Sequence, residues 1–526
     1  MAYFHGVRAS EVPTSIIPPV NTTAGLPVVW GTAPVHLTEN PSANVNKPVI
    51  CYEYGEAVKA FGYSDNWDDF TLSEVMFSEF QLYGVKPIIF INVLDPKKHK
   101  AHVSATEGRA ANDDHEVIVE DTVLLSTLKV YGAGQSVTSE AGAGEGTASG
   151  DGADLDGVDI DAGGGNANTP VEITDTVPAV LDKDYTAAYD DDGRLIITLI
   201  EGGSLYNQTE IFTEYDRVDA SKVTSADIIG GVSLSGETKG LEWASSIYTL
   251  FSMVPGILAA PGWTHDPTVA SVMKAKALTL CGLFRCIVLT DVDTEEVKSY
   301  SEVNVWKNNN NYTGINQVVC WPCVRNGDSI YHMSTHLLGI IGVMDAANED
   351  VPYQSPSNLS MQSTGICLAD GTEIALTLEQ ANMLNSQGIV TALNFSGGWK
   401  SWGNYTGVYP SNTDPKDCFI CVRRMFDWQY QTFILTYWQK VDRPLMPRLI
   451  KTIVDSEMIR LNGLVSRGFL LGADIKFLES ENPLTDLLQG IIRVHSYITP
   501  PVPAQEIDCI FEYDVNNFKT LFEAVA

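Results

Sequence analysis

Residues Lys416–Pro444, reading KDCFICVRRMFDWQYQTFILTYWQKVDRP, set two adjacent arginines between a short apolar run and an aromatic-rich one. An ionised side chain taken out of water must be paired and hydrogen-bonded. The block therefore predicts a core or contact element in which Arg423 and Arg424 meet carboxylates. Asp427, Asp442 and Arg443 are the other candidate members of such pairs, within one subunit or between subunits. Arginine suits these roles better than lysine because its planar fork grips a carboxylate at two points. Cys418–Cys421 reads as a short apolar strand, and the remainder as an aromatic-rich helix.

The chain has 526 residues, which exceeds one typical domain, and 44% of them are hydrophobic, enough for sizeable cores. No apolar run approaches the ~20 residues that span a bilayer. Runs such as Ile88–Leu94 and Leu337–Met344 have the length of buried strands or core helices. The N-terminus lacks the apolar centre of a signal peptide, so synthesis in the cytosol is expected. Net charge is −33, from 66 acids and 33 bases, a surface that repels phosphate backbones. The charge is uneven: residues 99–225 carry 25 acids and 7 bases, whereas 381–526 carry 15 and 13. The first stretch reads as solvated, the second as able to pack against copies of itself. Nine cysteines in a non-secreted chain read as free thiols.

Proline at 13, 18 and 19 makes residues 1–20 an extended arm. Residues 21–98 form the first part of an α/β core, with helical spacing over Thr71–Tyr83, a stop at Gly84 and a buried strand in Lys86–Leu94. Residues 99–225 read as an inserted acidic β-rich domain. Strands are expected at 116–120, 122–130, 186–189 and 195–201, the last two joined by an Asp192-Gly193 turn. Within the insertion, 132–170 is low complexity and is expected to be a flexible loop. Residues 226–380 complete the core. There Val254–Ala260 and Phe284–Thr290 read as strands around a helix begun by Asp266 and Pro267 and closed by Gly282. This βαβ pattern implies parallel strands. Thr377 and Gln380 form a capping-box pattern, followed by a strand at Ile389–Phe395. Residues 381–505 make an α+β C-terminal domain, with a helix from Leu449 to Leu461 followed by Gly463. Residues 506–526 form a second arm, with a strand-like run at Ile507–Tyr513.

Chemical motifs are present but badly placed. Cys320-Trp321-Pro322-Cys323 would suit a thiol–disulfide exchanger only at a strand-to-helix turn, where the helix N-terminus lowers a thiol pKa. Here Val324–Asp328 reads as a turn. Cys418 and Cys421 form a second pair, separated from Cys323 by 94 residues, a poor spacing for a four-cysteine zinc site. Asp151, Asp154, Asp156, Asp159 and Asp161 miss the calcium-loop register. His332 and His336 lack the glutamate of a zinc-protease motif, and neither a nucleophile elbow nor a phosphate-binding glycine loop occurs. No catalytic residue, cofactor or metal ligand is assigned.

The Lys416–Pro444 block resembles the C-terminal core of contractile tail sheath proteins of phages and phage-tail-like particles. The resemblance extends to Gly397–Thr406, Leu461–Leu464, Asn482-Pro483-Leu484 and Pro500–Ala504. Ala259–Pro267, Gly327-Asp328, Ser334–His336 and Pro356–Asn358 also correspond, as do His5-Gly6-Val7 and Glu11. It covers 1–98 and 230–526 and leaves 99–225 aside. The family implies a mixed α/β chain with a subtilisin-like core and no catalytic triad. It also implies a non-enzymatic function, in which six-fold rings stack helically around an inner tail tube between a baseplate and a tail terminator. Terminal arms add strands to neighbouring subunits, and a metastable tube contracts by rigid-body rearrangement. On this reading Phe4, His5, Gly6, Val7, Ile507, Cys509, Ile510, Phe511 and Tyr513 link subunits, with no contact to nucleic acid and no membrane insertion. The location is a virion tail or similar particle, assembled in the bacterial cytoplasm. The competing readings are a CxxC oxidoreductase or other enzyme, or a tube or baseplate component.

Overall fold

The computed structural model describes residues 24–132, 177–190 and 192–520. The fold is mixed α/β with several sheets and separates into two units. One comprises residues 26–250 and 258–276; the other comprises the chain up to Gly25, 251–257 and everything from Ala277 onward.

In the first unit, Ile88–Asn92 runs parallel to Pro27–Gly31, with Val28 opposite Ile89, and antiparallel to Pro48–Cys51, with Val49 opposite Phe90. Two of these strands are buried along their whole length, as apolar runs without alternation predict. The Thr71–Phe77 helix continues as a π-helical turn, Ser78–Tyr83, and Gly84 ends it in the left-handed conformation at φ 69°. Between Lys100 and Val218 the chain builds two antiparallel sheets. One gathers Lys100–Val103, Gly108–Ala110 and Lys129–Gly132 around Glu210–Val218. The other pairs Leu195–Leu199 with Glu116–Val119 and Tyr185–Tyr189. Alternate residues Leu195, Ile197 and Leu199 join Val117, Val119, Ile211 and Tyr215 in one apolar core. The strand expected at 122–130 begins only at Lys129, because Leu125–Thr127 winds into a 3₁₀ turn.

In the second unit, Ile287–Asp291, Gln317–Cys320 and Ile389–Leu393 are parallel neighbours. The Tyr300–Asn309 helix joins the first two, and Met333–Ala347 and Leu378–Asn385 lie between the second and third. Thr377 and Gln380 form the capping box: the Thr377 hydroxyl accepts from the Gln380 amide at 3.3 Å, and the Gln380 side chain accepts from the Thr377 amide at 2.9 Å. Beyond this sheet come helices Ile420–Tyr437 and Pro447–Ser466 and the antiparallel pair of Gly472–Lys476 with His495–Thr499, joined through the short helices Glu479–Glu481 and Leu484–Leu488. Met425, Trp428, Leu461, Leu464, Phe469 and Ile475 share a core there with Ala24.

Several expectations are overturned. Cys418–Cys421 is not a strand: Asp414 caps a short helix with Pro415 in its first turn, and Phe419 is a single extended residue before the Ile420–Tyr437 helix begins. A four-residue apolar run has no period of its own, so the cap decided it. The helix from Pro267 ends at Ala277, short of Gly282. Gly463 lies inside the Pro447–Ser466 helix, and Gly468 at φ 80° follows its end. Ile507–Tyr513, expected to pair with another copy, lies in neither helix nor strand among the described residues, and that expectation is left as it stood.

Candidate assembly surfaces and their buried framework

The two arginines of the opening block lie on the Ile420–Tyr437 helix and both turn inward. Arg423 reaches Asp427 at 2.7 Å and Asp417 at 3.2 Å. The spacing of four places Arg423 and Asp427 on one helical face. Burial pushes the Asp427 carboxyl up, against the pull of the Arg423 guanidinium. Arg424 grips the Asp345 carboxylate with both terminal nitrogens, one bond being 3.0 Å, and donates a further bond to the Ala24 carbonyl at 3.2 Å. The Arg424 and Asp345 side chains are only 3% and 2% exposed. A third cluster joins Arg460, Glu457 and Tyr437: Arg460 pairs with Glu457 at 2.5 Å, and the Tyr437 hydroxyl donates to Glu457 at 3.2 Å. Asp442 and Arg443, by contrast, are exposed in the turn after this helix.

Asp345 and Glu457 were not singled out from sequence. Asp345 ends the apolar run Leu337–Met344, and a lone carboxylate there is the signal that finds it. Its partner lies 79 residues away, a distance that no local pattern bridges.

Nucleophilic chemistry finds little support. Cys320 closes one strand and Cys323 opens the next, and burial holds the Cys320 thiol well above its ordinary range. Burial likewise pushes Cys421 up to about 12. None of the nine cysteines, all among the described residues, forms a disulfide. Ser334, at the start of the Met333–Ala347 helix, donates its amide at 2.9 Å and its hydroxyl to Asp291. Asp291 thus serves as an N-cap brought in from a neighbouring strand end, and the hydroxyl is committed to it. His336 packs edge-on against Tyr331, ring centroids 4.7 Å apart. Among the described residues no three His, Cys, Asp or Glu side chains are placed to hold a metal ion. No helix among them is long and apolar enough to cross a membrane.

The exposed features lie elsewhere. The Tyr405 hydroxyl donates to Gln505 at 2.8 Å, and Gln505 donates to Asn404 at 3.0 Å. Beyond this point Ile507, Ile510, Phe511 and Tyr513 are 74–92% exposed, and Cys509 is exposed with them. These solvated apolar side chains alternate in sequence with the acidic Asp508, Glu512 and Asp514. Gly472–Lys476 and His495–Thr499 form a two-stranded antiparallel sheet among the described residues. Phe4, His5, Gly6 and Val7, and the aspartate-rich stretch from Asp151 to Asp161, lie outside the described residues.

No family model matches the sequence. The chain is 24% identical over 518 residues to the tail sheath protein of Burkholderia phage BcepMu, covering 96% of this chain and 95% of that protein. It is also 24% identical over 292 residues to the tail sheath protein of Escherichia phage P2, covering 54% of this chain and 69% of that one. Among solved structures, it matches a chain of the contracted helical sheath of the anti-feeding prophage with a TM-score of 0.53 at 13% identity, covering 98% of this chain and 100% of that one. A chain of the same particle's six-fold baseplate structure matches with a TM-score of 0.52 at 14% identity, again covering 98% and 100%. At these identities the structural likeness is one of fold.

Proposed function

We infer that the chain is a tail sheath protein of the contractile kind, a subunit that polymerises around an inner tail tube and shortens to drive that tube through a target envelope. One observation carries this. A chain similar along almost its whole length to a phage tail sheath protein carries near the end of its described part a run, Ile507–Tyr513, outside any helix or strand, whose apolar side chains are solvent-exposed. A monomeric protein has no use for such a segment, and a polymer linked by strand exchange does.

On this reading Ile507, Cys509, Ile510, Phe511 and Tyr513 at one end, and Phe4, His5, Gly6 and Val7 at the other, link neighbouring subunits. The antiparallel pair of Gly472–Lys476 and His495–Thr499, whose outer edges carry no partner strand among the described residues, is the acceptor. Residues 21–98 and 226–380 form a core of subtilisin-like type, 99–225 an insertion, and 381–505 the sheath domain, with arms before and after. The contacts are heterologous, repeating from copy to copy without closing except within six-fold rings. Inner tube, baseplate and terminator are the other partners, and the particle's tail is the location. Contraction draws on the metastability of the extended polymer rather than on an active site. Arg423, Arg424 and Asp427 serve as internal framework, whereas Asp442 and Arg443 are available to a neighbour.

Electron microscopy of the purified full-length chain tests the reading. Hollow striated cylinders are expected, and their loss on deletion of residues 1–12 from an otherwise folded chain. Discrete monomers at high concentration, or normal cylinders from the deletion, would refute the polymer and the arm respectively.

A further inference from the structure

The first described residues bear on how an arm could carry load. The Ala24 carbonyl accepts from Arg424 at 3.2 Å, and Arg424 is itself held by Asp345. Gly25 lies against that carboxylate so closely that an added Cβ would stand 2.9 Å from Asp345 Oδ2. Gly256 also approaches the same carbonyl; an added Cβ there would come within 1.8 Å of the Ala24 oxygen and 2.6 Å of its carbon. Ala24 is itself 6% exposed. Residues 24 and 25 are thus gripped by a buried ion pair and by a close backbone approach that only glycine permits.

The grip belongs to one unit. Asp345 lies on the Met333–Ala347 helix and Arg424 on the Ile420–Tyr437 helix, and both fall in the unit that also includes Gly25 and Gly256. The chain passes into the other unit only at Leu26. A pull on the segment before Ala24 therefore meets the two helices before it meets the strand Pro27–Gly31.

We propose that Arg424, Asp345 and Gly256 form a mechanical anchor for the N-terminal arm, delivering its tension to the C-terminal unit and sparing the unit that holds the acidic insertion. The proposal rests on the sheath reading above. A carbonyl fixed by a doubly held guanidinium suits this task, because the bond pulled upon is charge-assisted and its donor cannot swing away.

The test uses full-length chain bearing Gly256→Ala, which displaces the Ala24 carbonyl without touching the ion pair, and Arg424→Lys, which keeps the charge and loses the fork. Thermal unfolding of dispersed subunits and electron micrographs of tubes before and after contraction are compared with the parent. Folded variants are expected to assemble short tubes that break between rings on contraction. Unbroken contracted tubes from folded Gly256→Ala would overturn the proposal, as would failure of that variant to fold, since the anchor would then be inseparable from the core. Should Arg424→Lys not fold, Gly256→Ala decides alone. Absence of tubes from the parent chain would instead refute the sheath reading.

Discussion

Two regions of this molecule use the same charged side chains in opposite ways. Around the Ile420–Tyr437 and Pro447–Ser466 helices, Arg423, Arg424 and Arg460 are sealed beside Asp427, Asp345 and Glu457. On the sheet built around Glu210–Val218, Lys129 meets Glu214 at 2.8 Å and Lys100 meets Asp216 at 2.5 Å, with both lysines about half exposed. A buried pair is weak evidence of net stability, yet breaking it strands a charge in an apolar interior. An exposed pair is screened and costs side-chain entropy to hold. The helical region is therefore intolerant and specific, whereas the sheet region is tolerant. That contrast matches their net charges, near neutral for 381–526 and strongly acidic for 99–225.

The contrast is open to attack. Arg423→Ala leaves Asp427 buried without its partner, and we expect a loss of about 3–5 kcal/mol in chemical denaturation. A loss below about 1 kcal/mol would place Arg423 with the surface lysines.

Two buried bases sharpen the comparison through pH. Lys307 in the C-terminal unit donates to the carbonyls of Gln387 at 2.6 Å and Tyr409 at 3.0 Å, and burial lowers it from its ordinary 10.5 to about 8. His36 in the other unit lies between the Phe70 and Tyr189 rings, and burial lowers it from 6.5 to about 4 despite Asp121. In each case the unfolded chain binds the proton more tightly, so stability rises with pH across the window and falls as pH drops through it. Relative to Lys307→Met, the parent should gain stability between pH 8 and 10.5, with a slope of up to about 1.4 kcal/mol per pH unit. Relative to His36→Phe, it should lose stability as pH falls from 6.5 to 4. Flat difference curves in denaturant titrations would contradict both burial effects.

The smallest effect belongs to the exposed ladder. Lys129→Ala should change stability by less than about 1 kcal/mol, and that change should shrink further in high salt. A salt-insensitive loss of several kcal/mol would erase the distinction between the regions.

What was legible in the sequence was local. Asp266 accepts from the Thr268 amide at 2.7 Å, and Thr377 with Gln380 closes its capping box, because these bonds join residues two or three apart. Alternation in Leu195–Leu199 reports one buried face directly. Cys418–Cys421 misled because a short apolar run fits either period, and the deciding Asp414 and Pro415 stand outside it. The acidic partners of the arginines were half legible: Asp427 lies four residues from Arg423, while Asp345 is brought to Arg424 by tertiary packing. Ile507–Tyr513 has the composition of a strand but no partner strand among the described residues, so composition alone did not decide its conformation.

The antiparallel pair of Gly472–Lys476 and His495–Thr499 draws its support from one side, where Ile475 packs against the Pro447–Ser466 helix. A two-stranded ribbon without such packing is marginal in water. Any strand that binds its edge only when it is folded acts as a ligand, adding RT ln(1 + [L]/Kd) to the stability of that ribbon. If neighbouring copies supply that strand, the melting temperature of this part of the molecule becomes a function of concentration. A dilute subunit would then be the softest form of the protein, and one embedded in a polymer the hardest.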